Sequence, residues 1–307
     1  MKIVLPVAGN GLRLRPYTEN VPKCLLPVAG KTILDWIVED SLGLNPAETI
    51  FITGYKAEAV DAFLEKRPNW GKTRTVIQSN PQGLGEAISL ALPYVDDNEP
   101  LLIILGDTLF EADLSILRNA DENILYTYKV EDPRRFGVAV TDASGRITRL
   151  VEKPQEFVSD EAIVGIYYIK DTKTLKESLK YLMDNNIRTK NEFQLTDALE
   201  MMLEKGCSFR TAPVNKWLDC GLAETLLETN AHVLKRNDNS SLADFPGVKV
   251  NPPCYIGKGA KIVNSTIGPN VVVGEGCVVE NSTLSDCVLW DGVKVCDKTL
   301  VNAIVHE

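Results

Sequence analysis

Strand-like and helix-like segments alternate over the first part of the chain, and this alternation limits the possible folds most. Short runs of aliphatic and β-branched residues are separated by segments whose apolar residues recur at helical spacing. This order predicts an α/β fold with a mostly parallel sheet and helices on both of its faces. The predicted strands are Ile3–Val7, Thr49–Thr53, Thr73–Gln78 and Leu101–Leu105, and the predicted helices are Ile33–Leu44, Ala57–Lys66 and Gly83–Leu92.

The middle of the chain is richer in strands, and helices return after it. A polar run at residues 236–241, RNDNSS, then indicates a linker. The predicted strands of this part are Ile124–Val130, Val138–Thr141, Ile147–Glu152 and Ile163–Ile169, and the predicted helices are Thr172–Met183, Leu195–Lys205 and Ala223–Lys235.

The spacing of apolar residues changes after the linker. From Ile256 to Val295 an aliphatic residue recurs every five or six positions, with glycines between. Neither the helical period of ~3.6 nor the strand period of 2 fits, whereas a hexapeptide repeat of short strands wound into a β-helix does. Cys277 and Cys287 lie inside the repeat, where packing in a core explains them. We therefore predict three segments, at residues 1–236, 237–249 and 250–307.

The composition of the 307 residues narrows the function classes. Hydrophobic residues make up 44% and charged residues 24%, as in soluble globular proteins, and no apolar run approaches the ~18 residues of a membrane span. Seven cysteines without a CxxC pair and no visible export signal favour a cytoplasmic protein with reduced thiols. The net charge of −9 argues against a nucleic-acid partner, so a polyanionic substrate would need a local basic pocket and metal ions.

A two-glycine turn with fixed positive charge follows the first predicted strand. Residues 8–16 read AGNGLRLRP, and a lysine follows at Lys23 in VPKCLLP. Glycines let backbone N–H groups approach a phosphate, and Arg and Lys supply the countercharge. The chain has no GxxxxGK[ST] phosphate loop, and Leu14 stands where a dinucleotide fingerprint needs its third glycine. The turn therefore predicts a different kind of triphosphate site.

The string G-x-G-x-R-L-x-P, followed by P-K-x-L-L-P, resembles the signature of the sugar-1-phosphate nucleotidylyltransferases. Among them it resembles glucose-1-phosphate thymidylyl- and uridylyltransferases with a C-terminal left-handed β-helix. The resemblance implies a Rossmann-like nucleotidyltransferase domain followed by a short left-handed β-helix. It implies catalysis by Arg13, Lys23 and Asp107, with Arg15 shaping the loop. The nucleotide contacts it implies are Ala8, Gly9, Gly11, Gln78 and Gly83.

One residue of the turn departs from the family pattern. Leu12 stands where threonine is usual, so a hydroxyl that could touch the phosphates is missing. We expect this to weaken triphosphate binding modestly, since the backbone donors and Arg13 remain.

Two carboxylates are candidate metal ligands. Asp107 ends the apolar run LLIILGD, and Asp219 lies in WLDCG, which resembles the family's W-x-D-x-G element. Mg²⁺ takes few oxygen ligands from protein and the rest from phosphates and water. The resemblance therefore implies Mg²⁺ on Asp107 and Asp219. The alternative is that each carboxylate caps a turn or the following helix.

Further motifs concern the base. QSNPQGLGEA at residues 78–87 resembles the family's Q-x-x-x-x-G-L element. The amide of Gln78 offers a donor and an acceptor to the edge of uracil or thymine, and Gly83 would let the base pack on the backbone. Gln194 stands where uridylyltransferases often carry glutamine, which favours UTP slightly over dTTP.

For the sugar phosphate, VEKP at residues 151–154 matches the family's EKP. Lys153 would pair with the phosphate and Glu152 would accept hydrogen bonds from sugar hydroxyls. Gly137 and Gly165 resemble positions where the backbone meets the hexose.

The expected reaction is nucleotidyl transfer from UTP or dTTP to a hexose 1-phosphate, foremost glucose 1-phosphate. Alternatives are GTP with mannose 1-phosphate, N-acetylglucosamine 1-phosphate as acceptor, and a catalytically silent nucleotide-sugar sensor or scaffold. Acyl transfer by the β-helix is disfavoured, because His232 and His306 are the two histidines and neither suits a base within the repeat.

The β-helix is expected to make subunit contacts in a homo-oligomer, without nucleic-acid or membrane partners. Ending the chain near Asn239 should then lower thermal stability or change oligomer size while the catalytic residues stay in place.

Overall fold

A computed structural model describes residues 1–240 and 245–307. Part of the predicted linker, residues 237–249, therefore lies outside the described residues. The chain divides into two compact units. The first, here called the sheet unit, comprises Met1–Asn10, Ile37–Gly106 and Phe110–Trp217. The second unit comprises Gly11–Trp36, Asp107–Leu109 and the described part of Leu218–Glu307. The segment boundaries read from the sequence remain a prediction.

Strands and short helices alternate up to Val233, and strands follow thereafter. The first strands are β1 (Lys2–Pro6), β2 (Pro27–Val28), β3 (Lys31–Thr32), β4 (Thr49–Thr53), β5 (Thr73–Ile77), β6 (Leu101–Ile104), β7 (Thr108–Glu111), β8 (Asn123–Lys129), β9 (Gly137–Thr141), β10 (Ile147–Glu152), β11 (Glu161–Ile169), β12 (Phe209–Pro213) and β13 (Lys216–Asp219). The α-helices are α1 (Ile33–Leu42), α2 (Ala57–Leu64), α3 (Leu84–Ala91), α4 (Thr172–Asp184), α5 (Leu195–Glu204) and α6 (Ala223–Val233).

A nine-stranded sheet organises the sheet unit, with strand order β10-β9-β11-β6-β1-β4-β5 and with β8 joining β11 to β12. The four strands β6, β1, β4 and β5 are parallel, whereas β11 runs antiparallel to β6, β8 and β9. β4 and β6 are buried along their whole length, which accounts for their unbroken apolar sequences. The predicted α/β fold with its mostly parallel central sheet is confirmed.

Helices α3, α4 and α5 pack against one another, α3 against β1 and β4, and α5 against β10. Their contact with the sheet buries the core of this unit, where Val4, Ile88, Leu125, Leu199 and Met202 are almost fully inaccessible. Because the carboxyl ends of parallel strands meet at one edge, this packing gathers the loops that follow β1, β4 and β5.

Most predicted elements are present with ends shifted by one or two residues. Five strands were not predicted: the β2–β3 hairpin, β7, β12 and β13. The hairpin strands have two residues each, and β7 and β13 have four, so neither pair is long enough to show a period. β12 mixes exposed Arg210 and Pro213 with buried positions, and its pairing with β8 depends on distant sequence.

Short parallel strands fill residues 249–305 of the second unit. They are β14 (Lys249–Val250), β15 (Cys254–Ile256), β16 (Lys261–Val263), β17 (Thr266–Ile267), β18 (Val271–Val273), β19 (Val278–Glu280), β20 (Thr283–Leu289), β21 (Lys294–Cys296) and β22 (Thr299–Val305). Paired residues are offset by a nearly constant length of chain: Lys261 pairs with Val278, 17 residues on, and Val278 with Lys294, 16 residues on. We call β14–β22 the C-terminal parallel strands.

The repeating aliphatic positions point into a shared core. Seven of the eight are buried, namely Ile262, Ile267, Val273, Val279, Leu284, Leu289 and Val295, and Ile256 is partly buried against them. Cys277 and Cys287 are fully buried in the same core, as predicted. Across the described residues, no helix is both long and apolar enough to cross a membrane.

Candidate active site

The glycine turn after β1 is closed by a buried threonine. Gly11 has a φ of +59°, and a Cβ there would lie 2.9 Å from Cγ2 of Thr18. The hydroxyl of Thr18, a fully buried residue, donates to the carbonyl of Gly11 at 2.9 Å. Residues Leu12–Leu14 then form one 3₁₀ turn that buries Leu14 and leaves Leu12 and Arg13 exposed. The hydrogen bond from Thr18 and the burial of Leu14 thus hold the backbone that carries the exposed side chain of Arg13.

Lys23 and Asp107 form an ion pair in the second unit. The ammonium of Lys23 donates to Oδ2 of Asp107 at 2.9 Å, with 12% of the lysine side chain and 49% of the aspartate side chain exposed. The hydroxyl of Thr108 approaches the other oxygen, Oδ1, at 3.3 Å. An ammonium carries three N–H donors, so Lys23 retains two for another anion.

Asp219 lies in a turn that explains the glycine of the WLDCG element. Its Oδ1 accepts from the backbone N–H of Gly221 at 2.9 Å. A Cβ on Gly221 would lie 2.8 Å from that oxygen and 3.1 Å from a guanidinium nitrogen of Arg13. Any side chain at position 221 would therefore displace both groups.

Two buried cysteine thiols are influenced by the charges of these residues. Cys24 and Cys220 are almost fully inaccessible. Burial raises the pKa of the Cys24 thiol to about 12, and burial likewise raises the pKa of the Cys220 thiol to about 12. The positive charge of Lys23 lowers the pKa of Cys220, and the negative charges of Asp219 and Asp107 raise it, so all three charges act on this thiol. Neutral thiols are poor metal ligands, so the donors offered here are oxygens.

The carboxylates of Asp107 and Asp219 fit a hard cation. Both are accessible to solvent and both present oxygen, the donor that Mg²⁺ prefers. The described residues contain no group of three or more His, Cys, Asp or Glu side chains arranged to hold a metal. A cation here would depend on phosphate oxygens and water for its remaining ligands, as Mg²⁺ commonly does.

In the sheet unit, the ends of β1, β4 and β5 bring Ala8 and Gln78 together around Gly54. A Cβ on Gly54 would lie 2.9 Å from Cβ of Ala8 and 3.2 Å from the carbonyl oxygen of Gln78. The buried amide of Gln78 donates from Nε2 to Glu86 at 2.6 Å. Sequence analysis missed Gly54 and Glu86; Glu86 lies in the same motif, one turn into α3, which is the signal that could have identified it.

Gly83, Gly85 and Gln194 meet where the segment before α5 reaches α3. Gly83 has a φ of +122°, and a Cβ there would lie 2.6 Å from the carbonyl oxygen of Phe193. The backbone N–H of Gly85 donates to the same oxygen at 2.7 Å. Gln194 is buried, and its Nε2 donates to Glu192 at 2.9 Å. Backbone packing thus accounts for glycine at position 83, and its contact with a base remains a prediction.

Gly137 and Glu152 are opposite one another in the β9–β10 pair. A Cβ on Gly137 would lie 3.0 Å from Oε2 of Glu152 and 2.9 Å from the hydroxyl of Thr196, which itself donates to that carboxylate oxygen at 2.8 Å. The ammonium of Lys153 lies 3.3 Å from the other carboxylate oxygen, and its backbone φ is +46°. The structure therefore brings Gly137, Glu152 and Lys153 together.

Asp197 lies beside this cluster. Its Oδ2 is buried and has no hydrogen-bond partner among the described residues. Burial raises the pKa of its carboxyl, and the charge of Glu152 raises it further. Thr196 and Asp197 were missed, although they lie two and three residues after Gln194, in the first turn of α5.

Gly165 has another role in packing. Its φ is +92°, and a Cβ there would lie 2.6 Å from Cδ1 of Leu105. The tight contact with Leu105 explains the glycine, and its contact with a hexose remains a prediction.

Residues 2–236 match the model of the Nucleotidyl transferase family. The chain is 32% identical over 243 residues to the low-salt glycan biosynthesis nucleotidyltransferase Agl11 of Haloferax volcanii, covering 76% of this chain and 66% of the relative. It is 30% identical to a glucose-1-phosphate thymidylyltransferase of Streptomyces antibioticus, covering 89% of this chain and 78% of the relative. The bifunctional protein GlmU of Methanocaldococcus jannaschii is 33% identical, but this chain spans only 55% of it.

Solved structures show the same fold. A putative glucose-1-phosphate thymidylyltransferase from Bacillus anthracis, solved with sucrose, superimposes with a TM-score of 0.65 at 27% identity, covering 76% of this chain and 94% of that one. A UDP-glucose pyrophosphorylase complexed with UDP-glucose superimposes with a TM-score of 0.64 at 24% identity, covering 76% and 98%. The resemblance read from the sequence is confirmed, and the chain belongs to the Nucleotidyl transferase family.

Proposed function

We propose that the protein transfers a nucleotidyl group from a pyrimidine nucleoside triphosphate, UTP or dTTP, to a hexose 1-phosphate. The observation that carries the proposal is the ion pair of Lys23 with Asp107, which lies in the same unit as Arg13 and Asp219. Family membership supports the reaction type, and the thymidylyltransferase relatives support glucose 1-phosphate as the first acceptor to test.

The chemistry follows from phosphate charge. A phosphate oxygen of the sugar 1-phosphate attacks the α-phosphorus, the bond to the bridging oxygen breaks, and pyrophosphate leaves with its electron pair. Catalysis then depends on positioning and on countercharge. Arg13 and the two remaining N–H groups of Lys23 supply that countercharge. Asp107 and Asp219 would hold Mg²⁺, which supplies further positive charge to the phosphates when bound.

The sheet unit supplies recognition. Because Gln78 donates its amide N–H to Glu86, the amide orientation is fixed and its oxygen is left to accept a hydrogen bond from N3–H of uracil or thymine. Ala8, Gly9 and Gly83 would contact the nucleotide through the backbone, as would Gly11 of the phosphate turn. On the sugar side, Glu152 would accept hydrogen bonds from the hydroxyl groups and Lys153 would pair with the phosphate. The backbone of Gly137 and Gly165 would contact the hexose.

We further propose that the C-terminal parallel strands form a left-handed β-helix that makes contacts between subunits of a homo-oligomer. The nearly constant offset between paired strands supports the β-helix. The seven free cysteines support a reducing compartment such as the cytoplasm.

Pyrophosphate release tests the reaction. UTP, dTTP, GTP, ATP and CTP are each combined with glucose-, galactose-, mannose- and N-acetylglucosamine 1-phosphate in the presence of Mg²⁺. We expect turnover with glucose 1-phosphate and UTP or dTTP. Turnover confined to GTP with mannose 1-phosphate, or to N-acetylglucosamine 1-phosphate, would replace the proposed substrates, and silence of folded protein across the grid would favour a sensor or scaffold.

Asp107→Asn tests the residue assignment. Removing the charge should lower turnover by roughly 10²-fold or more, the scale of losing one strong electrostatic contact in the transition state. Asp184→Asn is the matched control, because Asp184 forms an exposed ion pair with Lys180 on α4. A near wild-type rate of Asp107→Asn at saturating Mg²⁺ would contradict the assignment.

A further inference from the structure

Three aromatic rings connect the phosphate turn to the C-terminal parallel strands. Tyr17 follows the turn by a few residues, Trp290 follows β20, and His306 follows β22. The ring centroids of Tyr17 and His306 are 5.1 Å apart with the rings nearly perpendicular. Trp290 lies 6.5 Å from Tyr17 and 5.6 Å from His306. These distances are within the range in which aromatic pairs attract beyond simple burial. We call these three residues the aromatic contact.

The aromatic contact is directly joined to the turn that presents Arg13. Tyr17 directly precedes Thr18 in the chain, and the hydroxyl of this buried threonine donates a hydrogen bond to the carbonyl of Gly11. A shift of Tyr17 therefore moves the side chain that closes the turn.

The indole of Trp290 adds an argument about what holds this contact. Its Nε1 is buried and has no hydrogen-bond partner among the described residues. A buried N–H without a partner costs free energy that a phenyl ring would avoid, so hydrogen bonding does not account for an indole at this position. The large ring surface of the indole is therefore what this position uses.

A second pair of contacts holds the segment that carries Lys23. The β2–β3 hairpin follows Lys23 closely, and a Cβ on its Gly30 would lie 2.5 Å from the ring of Tyr255 in β15. Buried Asn230 accepts from the backbone N–H of Ala29 at 2.8 Å and donates to the carbonyl of Asn270 at 3.4 Å. The C-terminal parallel strands and the residues that follow them thus contact both of the segments that carry Arg13 and Lys23.

We propose that Tyr17 is a positioning residue, which Trp290 and His306 hold so that the Gly11–Leu14 turn keeps the geometry that presents Arg13 to a triphosphate. The proposal rests on the proposed function, since it assigns the turn to triphosphate binding. It makes the C-terminal parallel strands part of the nucleotide-binding machinery.

Variants on the two sides of the contact test this. Tyr17→Ala and His306→Ala each remove a ring, whereas Tyr17→Phe retains it. Val301→Ala is the control, because Val301 is an exposed residue of β22. We expect the Kd of the full chain for UTP or dTTP, measured by calorimetry with Mg²⁺, to rise roughly three- to tenfold in both alanine variants. Tyr17→Phe and Val301→Ala should stay near wild type. The double variant should be less than additive, because both single changes break one contact.

Limited trypsin digestion provides a readout that needs no nucleotide. We expect faster cleavage of the Arg13–Leu14 bond in both alanine variants, relative to cleavage after exposed Arg134 in the same sample. A purely structural role of the rings would instead lower the melting temperature and raise cleavage at both sites together.

The outcomes separate this proposal from the proposed function. Faster cleavage at Arg13 in a protein that neither binds nor turns over nucleotide would support the aromatic contact and refute the function. Unchanged cleavage at Arg13 and unchanged Kd in both alanine variants of an active enzyme would overturn the positioning role and leave the function intact.

Discussion

The carboxyl group of Asp197 lies in surroundings that disfavour its charged form. One of its carboxylate oxygens is buried without a hydrogen-bond partner among the described residues, and Glu152 places a second negative charge near it. The raised pKa of Asp197 means that the folded state binds this proton more tightly than the unfolded state does. Stability contributed by Asp197 is therefore lost as the pH rises from its ordinary pKa through its raised pKa.

We expect Asp197→Asn to raise the melting temperature at pH 7 by about 1–3 °C, because the amide removes the charge that burial disfavours. The gain should disappear when the pH falls below the ordinary pKa of aspartate, where both states of the wild-type residue are protonated. Thermal unfolding from pH 3 to pH 8 measures it.

Asp142→Asn is the control for Asp197→Asn, with the opposite sign. Hydrogen bonds from the Ser144 side chain and backbone hold the pKa of Asp142 below its usual range, so its substitution should not raise the melting temperature at pH 7. Equal effects of the two changes, or a gain for Asp197→Asn that persists in acid, would contradict the assignment.

Candidate charged residues could be named from the sequence more readily than their surroundings. Arg13, Lys23, Asp107 and Asp219 could be named from local motifs, because each motif contains its own glycine or proline. Asp197, like Thr196 and Glu86, could not, because its role depends on which side of a helix faces a distant strand. A short polar side chain at a helix start has the same local pattern whether it caps the helix or enters a site.

Two strands and one helix form the candidate sugar site, and Gly137 is where they come closest. β9 carries the glycine, β10 carries Glu152 directly opposite, and α5 supplies Thr196 from its first turn. The absence of a side chain at position 137 allows the hydroxyl of Thr196 to reach the carboxylate. The three elements therefore determine the orientation of Glu152 together.

We expect Gly137→Ala to separate Thr196 from Glu152 and to raise the KM for the sugar 1-phosphate about tenfold, with a much smaller change in the KM for the triphosphate. Initial rates of pyrophosphate release, with each substrate varied in turn, measure the split. Gly43→Ala is the matched control, because the nearest atom to an added Cβ there is 3.8 Å away. Equal changes in both KM values would show that the substitution disturbs the fold and not the sugar site.

Long elements could be predicted, whereas short ones could not. The helices α3, α4 and α5 and the buried strands β4 and β6 have enough periodic residues to be recognised singly. The β2–β3 hairpin and β13 are too short to show any period in their sequences. Yet the hairpin closely follows Lys23, and β13 contains Asp219. The hairpin glycine Gly30 lies close to the ring of Tyr255, a contact that local sequence does not reveal.

At the scale of the whole molecule, the segments predicted from the sequence differ from the compact units of the structure. The sequence suggests a boundary near residue 237, where composition changes. By contacts, Gly11–Trp36 and Asp107–Leu109 instead group with the C-terminal parallel strands. Helix α6 packs against β20 and β22 within the same unit. The proposed triphosphate-binding residues Arg13 and Lys23 thus belong to the compact unit that contains the C-terminal strands.

This grouping changes what truncation should do. The sequence alone led us to expect that a chain ending at Asn239 keeps its catalytic residues in place. Tyr17, Gly30 and Asn230 contact the C-terminal part of the chain. Truncation removes these contacts from the two segments that carry Arg13 and Lys23. We therefore expect it also to weaken triphosphate binding, by tenfold or more. The melting temperature should fall by at least about 5 °C, because α6 loses the strands that cover it.

A chain ending at Val305 is the matched control, because it keeps every strand and lacks only His306 and Glu307. It should melt like the wild type while the Kd for UTP or dTTP rises three- to tenfold. Calorimetry gives the Kd, scanning fluorimetry the melting temperature, and light scattering the mass of each chain. Retained affinity in the chain ending at Asn239 would show that Arg13 and Lys23 keep their geometry without the C-terminal strands. A change of mass with unchanged affinity would instead assign those strands to subunit contacts alone.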